Sequence, residues 1–99
     1  MALSVIWSPR ALENLHQVID YLEMNWGEKV VTGFVQRIDT LIKLISERPN
    51  VFKQISEKNS VREAVITEHN LLLYRVYKNH IVLLAVFDTR QHPRKKKAR

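Results

Sequence analysis

The side chains that could do chemistry are few: Arg62, Arg75 and Arg90, the histidine His92, and the basic run Arg94, Lys95, Lys96 and Lys97. A guanidinium is a rigid fork of donors that stays protonated, so each arginine could hold a phosphate but none could take up a proton. Cutting a phosphodiester without a metal needs a base, an acid and positive charge on the scissile phosphate. The chain supplies the charge more plainly than the acid and base, and His92 is the conceivable proton carrier. Each arginine also has a plainer reading. Arg75 would pair across a sheet surface with a carboxylate such as Glu63, and Arg62, next to Glu63, would be an ordinary surface residue. An Arg62, Arg75 and Arg90 cluster on one face would favour contact with a target.

The net charge of +6 is confined to the end of the chain: residues 90–99, RQHPRKKKAR, are basic without an acid, and the rest is balanced. Such a tail suits nucleic acid, an acidic protein segment or another polyanion, and equally suits plain solvated chain. With no cysteine, disulfides, thiolate zinc sites and redox motifs are excluded. His16, His69, His80 and His92 share no short metal-binding spacing, so neither a metal nor a cofactor is expected. The only glycines are Gly27 and Gly33, which excludes a glycine-rich phosphate loop. The start, MALSVIWSPRALENL, lacks the pattern of a secretory signal, and no apolar run reaches the roughly 18 residues of a membrane span. A cytoplasmic protein without membrane contact is expected.

These residues need a scaffold, and 99 residues at 45% hydrophobic and 26% charged suit one small domain, 1–99, ending in the basic tail. Leu3 to Trp7 reads as a strand that stops at Ser8-Pro9, a helix cap followed by a first-turn proline. Leu12, Leu15, Ile19, Leu22 and Trp26 then recur at helical spacing, opposite Glu13, Asn14, Gln17, Asp20 and Glu23. Gly27 breaks that helix. A second stripe follows at Val31, Phe34, Ile38, Leu41 and Ile45, widened by Val35 and Ile42, and Pro49 ends it near Arg48. Within it, Gly33 costs about 1 kcal/mol against alanine and hints at a close helix contact. Tyr21 and Trp26, aromatics at helical spacing beside a bend, read as packing anchors.

Residues 50–60 read as a loop anchored by Val51, Phe52 and Ile55. Three strands follow, 61–67, 71–78 and 81–87, joined as two hairpins. The run IVLLAVF has no polar residue and should be central and covered on both faces, with Leu3 to Trp7 beside it. The expected fold is α+β, in the order β-α-α-β-β-β: a two-helix hairpin on a largely antiparallel four-stranded sheet.

Two stretches carry a family resemblance: IDYLEMNWGEKVVTGFVQRIDTLIKLISERP at 19–49 and LLLYRVYKNHIVLLAVFDTRQHP at 71–93. A tyrosine in the first helix, the Trp26-Gly27 pair at the bend, Phe34 in the second helix and Pro49 after it resemble the helix hairpin of the ParE branch of the RelE/ParE toxins. So do Tyr74-Arg75-Val76 in a strand and the basic ending at Asp88-Thr89-Arg90.

The resemblance implies a growth-inhibiting toxin encoded with an antitoxin whose disordered segment wraps it until proteolysis. ParE-like members are associated with poisoning DNA gyrase, and RelE-like members with cutting messenger RNA on the ribosome. Relative to the cutters, the arginine expected at the start of the third strand appears as Leu71, the tail tyrosine is missing, and a lysine-like position corresponds to Arg62. The leading expectation is therefore a non-catalytic gyrase inhibitor of a plasmid-stabilisation type system. Its contact residues would be Arg62, Arg75, Arg90, Arg94, Lys95, Lys96 and Lys97, and it would form a hetero-oligomer with its antitoxin. The alternatives are a metal-independent, ribosome-dependent endoribonuclease using Arg62, Arg90 and His92 in one cleft, and an inactive family member.

Overall fold

A computed structural model describes residues 2–89. The order is β1 (Ser4–Trp7), α1 (Pro9–Trp26), α2 (Glu28–Glu47), β2 (Lys53–Ser56), β3 (Val61–Thr67), β4 (Asn70–Val76) and β5 (His80–Asp88). The strands form one five-stranded sheet, β1-β5-β4-β3-β2. All neighbours are antiparallel except β1 and β5, which run parallel; the helix hairpin carries the chain from β1 to β2 at the opposite edge of the sheet. The α+β architecture, the hairpin and the placing of β1 beside β5 match the expectation; the sheet has five strands rather than four.

The extra strand lies in 50–60. Its sequence, KQIS, has no apolar alternation to mark it, and its register against β3 is irregular between Gln54 and Ser56. The neighbouring edge of β3 makes this strand, more than any pattern of its own. Of the three proposed anchors only Phe52 packs on the core, while Val51 and Ile55 are about half exposed.

Ser8 caps α1, accepting at Oγ from the Ala11 N–H at 3.0 Å, with Pro9 in the first turn. The buried stripe of α1 is Ala11, Val18 and Leu22, with Leu15 and Ile19 packed at its side. Leu12 and Trp26 turn outward, rotating the stripe from the one expected. In α2 the buried line is Phe34, Ile38, Leu41 and Ile45, as the spacing requires. These side chains meet Ala64, Ile66, Leu72, Tyr74, Ile81 and Leu83 from the sheet.

Strand β4, not β5, is the middle of the sheet, and the helices cover one face only. β5 reads as an unbroken apolar run because its outward residues Val82, Ala85 and Phe87 are apolar as well. The register slips so that Leu73 faces Ala85 but Tyr74 faces Leu83, leaving Leu84 as an extra residue. The inward side chains are therefore Ile81 and Leu83 before the bulge and Val86 after it. Val82, Leu84 and Phe87 are only half-buried.

The two helices are joined by one residue. Gly27 has φ 93°, and its N–H donates to the carbonyls of Leu22 and Glu23. Gly33 is different: a Cβ built there meets nothing within 4 Å, so the expected close helix contact is absent among the described residues. Gly27→Ala should cost about 1–3 kcal/mol through backbone strain. Gly33→Ala should add about 1 kcal/mol by restoring helix propensity. Chemical denaturation of both variants, moving in opposite directions from the parent, checks the pair.

Candidate functional site

Arg62 and Arg75 do not come together. Arg62 lies opposite Tyr74, and Arg75 lies opposite Val61, so the pleat sends the two guanidinium groups to opposite faces of the sheet. Arg62 is on the helix side with Ala64 and Ile66. Its Nη1 donates to the carbonyls of Phe52 at 2.7 Å and Asn50 at 3.3 Å. The hydroxyl of Tyr74 donates to the Pro49 carbonyl at 2.8 Å. Together they pin residues 49–52, the link between α2 and β2. Burial pushes the Tyr74 phenol above its ordinary value, partly offset by the positive charge of Arg62.

Arg75 meets no carboxylate among the described residues. Its guanidinium lies 4.8 Å from the centre of the Tyr77 ring, and that ring stacks on His80 at 4.6 Å. The pairing with Glu63 is replaced by an aromatic stack at the tip of the β4–β5 hairpin. Arg90, His92, Arg94, Lys95, Lys96 and Lys97 lie outside the described residues.

The structure adds a feature that sequence spacing did not reveal. Between the α1–α2 bend and the β3–β4 turn is a cleft of about 420 Å³, walled by Leu22, Trp26, Val30 and Phe34 and edged by Arg37 and Asn70. Trp26, read as a packing anchor, is 53% exposed on this wall, with its ring 5.9 Å from that of Tyr21. A second groove follows along α2, over Gly33, Leu41 and Leu44, and is bounded by Val65 and Ile66. Arg37 borders both and donates to the Ile66 carbonyl at 3.4 Å. The pairing of β2 with β3 stops at Glu63, so no strand among the described residues covers the outer edge of Ala64 to Thr67. Nothing in the local spacing singles out Arg37; the meeting of α2 with the β3–β4 turn gives it its place.

Residues 5–93 match the family described as the ParE toxin of the type II toxin-antitoxin system parDE. The chain belongs to the ParE toxin family. The fold agrees. A ParE-family fold is shared with a chromosomal ParDE toxin-antitoxin system from P. aeruginosa, at TM-score 0.74 and 21% identity over 88% of this chain and 96% of that one. The YoeB dimer from Staphylococcus aureus gives 0.61 at 22%, covering 88% and 97%. The RelBE2 toxin-antitoxin complex from Mycobacterium tuberculosis gives 0.62 at 18%, covering 89% and 99%. A search among curated proteins returned no match. The ParE assignment makes the chain a toxin of a type II toxin-antitoxin system, and its fold is shared with the YoeB and RelBE2 structures.

The pinned link makes a pH prediction with a definite sign. A phenol whose folded pKa is raised contributes stability that is complete below its unfolded value, 10.0, and lost as pH rises through the folded value. Thermal melts should therefore show stability falling above that pH, and Tyr74→Phe should remove part of the fall. At neutral pH the same substitution should cost about 1 kcal/mol, because the Pro49 carbonyl loses its donor.

Proposed function

We propose that this ParE-family toxin inhibits growth by binding and poisoning DNA gyrase, without itself catalysing a reaction, and that a cognate antitoxin neutralises it. The observation that carries the reading is the family match over residues 5–93. The arrangement of the arginines supports it. Metal-independent cleavage of RNA needs a base, an acid and a cation converging on one phosphate. Arg62, one of the three residues of the nuclease reading, spends both Nη1 hydrogens on backbone carbonyls, and Arg75 points the other way. A side chain holding its own backbone in place is poorly available to a scissile phosphate.

The antitoxin part rests on the same family and on its fold relatives, among them a heterotetrameric YoeB-YefM toxin-antitoxin complex from Staphylococcus aureus. In this reading Arg90, Arg94, Lys95, Lys96 and Lys97 add long-range attraction for an acidic partner or for gyrase-bound DNA.

Two measurements test these statements. Purified toxin should inhibit gyrase supercoiling or trap cleaved DNA, with the effect reversed by its antitoxin. Folded protein that leaves gyrase untouched and instead cuts ribosome-bound messenger RNA would replace this reading with the RelE-like one. Deleting residues 91–99 should weaken partner binding at low salt, with the difference shrinking as salt rises and screening shortens the reach of the charges. Equal affinities at low salt would remove the tail from the mechanism.

A further inference from the structure

We propose that the tip of the β4–β5 hairpin is a stacking site for an unpaired base of DNA, seated on the outer face of the His80 ring and held by the cations around it. The inference rests on the gyrase reading above for the source of that DNA, and names a surface through which the toxin reaches it.

The first argument is the direction of a stack. On the uncovered face of the sheet Tyr77 and His80 lie with ring centres 4.6 Å apart and planes 5° from parallel. Rings this close leave no room for a guanidinium between them, so Arg75, 4.8 Å from the centre of Tyr77, lies against the other side of that ring. The three side chains are therefore layered in the order Arg75, Tyr77, His80. The spacing of the two rings is that of neighbouring strands, about 4.8 Å, so the stack runs across the sheet with one layer per strand. Tyr77 stands at the end of β4 and His80 at the start of β5. The next strand in that direction is β1, where the partner of His80 is Ser4. Ser4 is exposed, and its side chain is too short to cover an imidazole. A planar ring placed over Ser4 would continue the series at the same spacing.

The second argument is that the fold does not need this stack. Arg75, Tyr77 and His80 all lie outside the hydrophobic core, and Tyr77 is 37% exposed. The turn itself is closed by backbone, with the Tyr77 N–H donating to the His80 carbonyl at 2.8 Å. The turn also orients the outer ring, because His80 Nδ1 donates to Asn79 Oδ1 at 2.9 Å. A platform whose rings are already oriented loses little freedom when it binds. Aromatic side chains exposed on a sheet face support unstacked bases in this way, since every base has a π-face.

The third argument is charge. Arg75 and Lys78 flank the rings, and Lys58 stands on the β2–β3 turn next to them, which is tied to β4 by the Val76 N–H donating to the Ser60 carbonyl at 3.1 Å. None of these three cations meets a carboxylate among the described residues. Phosphates need cations and bases need flat rings, and this end of the sheet offers both side by side. A duplex keeps its bases stacked inside, so the strand that fits is an unpaired one.

The test uses the full toxin chain and a labelled single strand of about 12 deoxynucleotides of mixed sequence, followed by fluorescence anisotropy across a salt series. Tyr77→Ala and His80→Ala should each weaken binding by about tenfold at every salt concentration, because a lost stack removes no phosphate contact. Tyr77→Phe keeps the ring and should bind like the parent. Lys78→Gln should instead flatten the salt dependence, by about one unit of slope. With the strand annealed to its complement, the two alanine variants should match the parent. Their thermal midpoints should stay close to the parent's, since both side chains lie outside the core. In the complex of the parent chain, the His80 ring protons should move upfield under the ring current of the stacked base. Parent-like binding of the single strand by both alanine variants, with those protons unmoved, would overturn the site. An effect of the variants confined to RNA of the same sequence would overturn DNA as the occupant. Variants that bind the strand normally but lose binding to DNA-free gyrase would assign the tip to a protein contact and likewise overturn it. No gyrase is present in the anisotropy assay, so a toxin that leaves supercoiling untouched yet binds the strand through Tyr77 would remove the gyrase reading and keep this contact.

Discussion

Most of β5 is shut away from water, and a buried peptide group must find its hydrogen bond inside the protein. That requirement organises much of the molecule. On one side β4 pairs along the strand from Val76–Ile81 to Asn70–Asp88. On the other, β1 is long enough to serve only His80 to Leu83. Beyond it the edge is completed by α1 and its cap: the Ser8 N–H donates to the Leu83 carbonyl, Ser8 Oγ to the Leu84 carbonyl, and the Val86 N–H to Asn14 Oδ1. Ser8 therefore starts the helix and closes the sheet at the same residue. The helix hairpin is fastened to the sheet by polar bonds at this corner as well as by its apolar stripes.

The strong periodicities were legible. Phe34, Ile38, Leu41 and Ile45 are buried because a step of three or four puts them on one side of a helix, and Ser8-Pro9 and Gly27 punctuate the chain as their chemistry dictates. What escaped the sequence depended on neighbours that no local window contains. β2 has a strand's hydrogen bonds without a strand's alternation, since β3 supplies the template. Asn14 looked like one of five polar residues facing solvent, and it completes the ladder of a strand 72 residues away. β5 is apolar on both faces, with Val82, Ala85 and Phe87 turned outward, so its sequence reads as the covered centre of the sheet although β4 holds that place.

The sequence offers the candidate arginines by type, and their positions come only from the strand register. Adjacent strands set Arg62 and Arg75 in neighbouring rows, and a one-residue difference in row reverses the face. Their different fates follow. Arg62, on the packed side, became a clasp for the α2–β2 link with Tyr74, and Arg75, on the bare side, lies along an aromatic ring. Trp26 shows the converse: its spacing belonged to the packed stripe, but the stripe rotates and leaves the indole half in water. Asn70 gave a weaker signal still, because a turn residue next to Thr67 is ordinary until the burial of its amide is known.

The short stretch of β3 past the end of β2 has a consequence for how copies of this chain treat one another. From Ala64 to Thr67 no strand among the described residues continues the sheet, a single bond from Arg37 reaches the Ile66 carbonyl, and Val65 stands mostly in solvent beside it. Such an edge is a template for self-association, since a strand from any other molecule can continue the ladder. The brake is colloidal: a formal net charge of +6 makes every encounter between two copies repulsive, while an encounter with an anionic chain is not. Solubility and choice of company are thus set by the same imbalance of charge, and raising the ionic strength relaxes both at once.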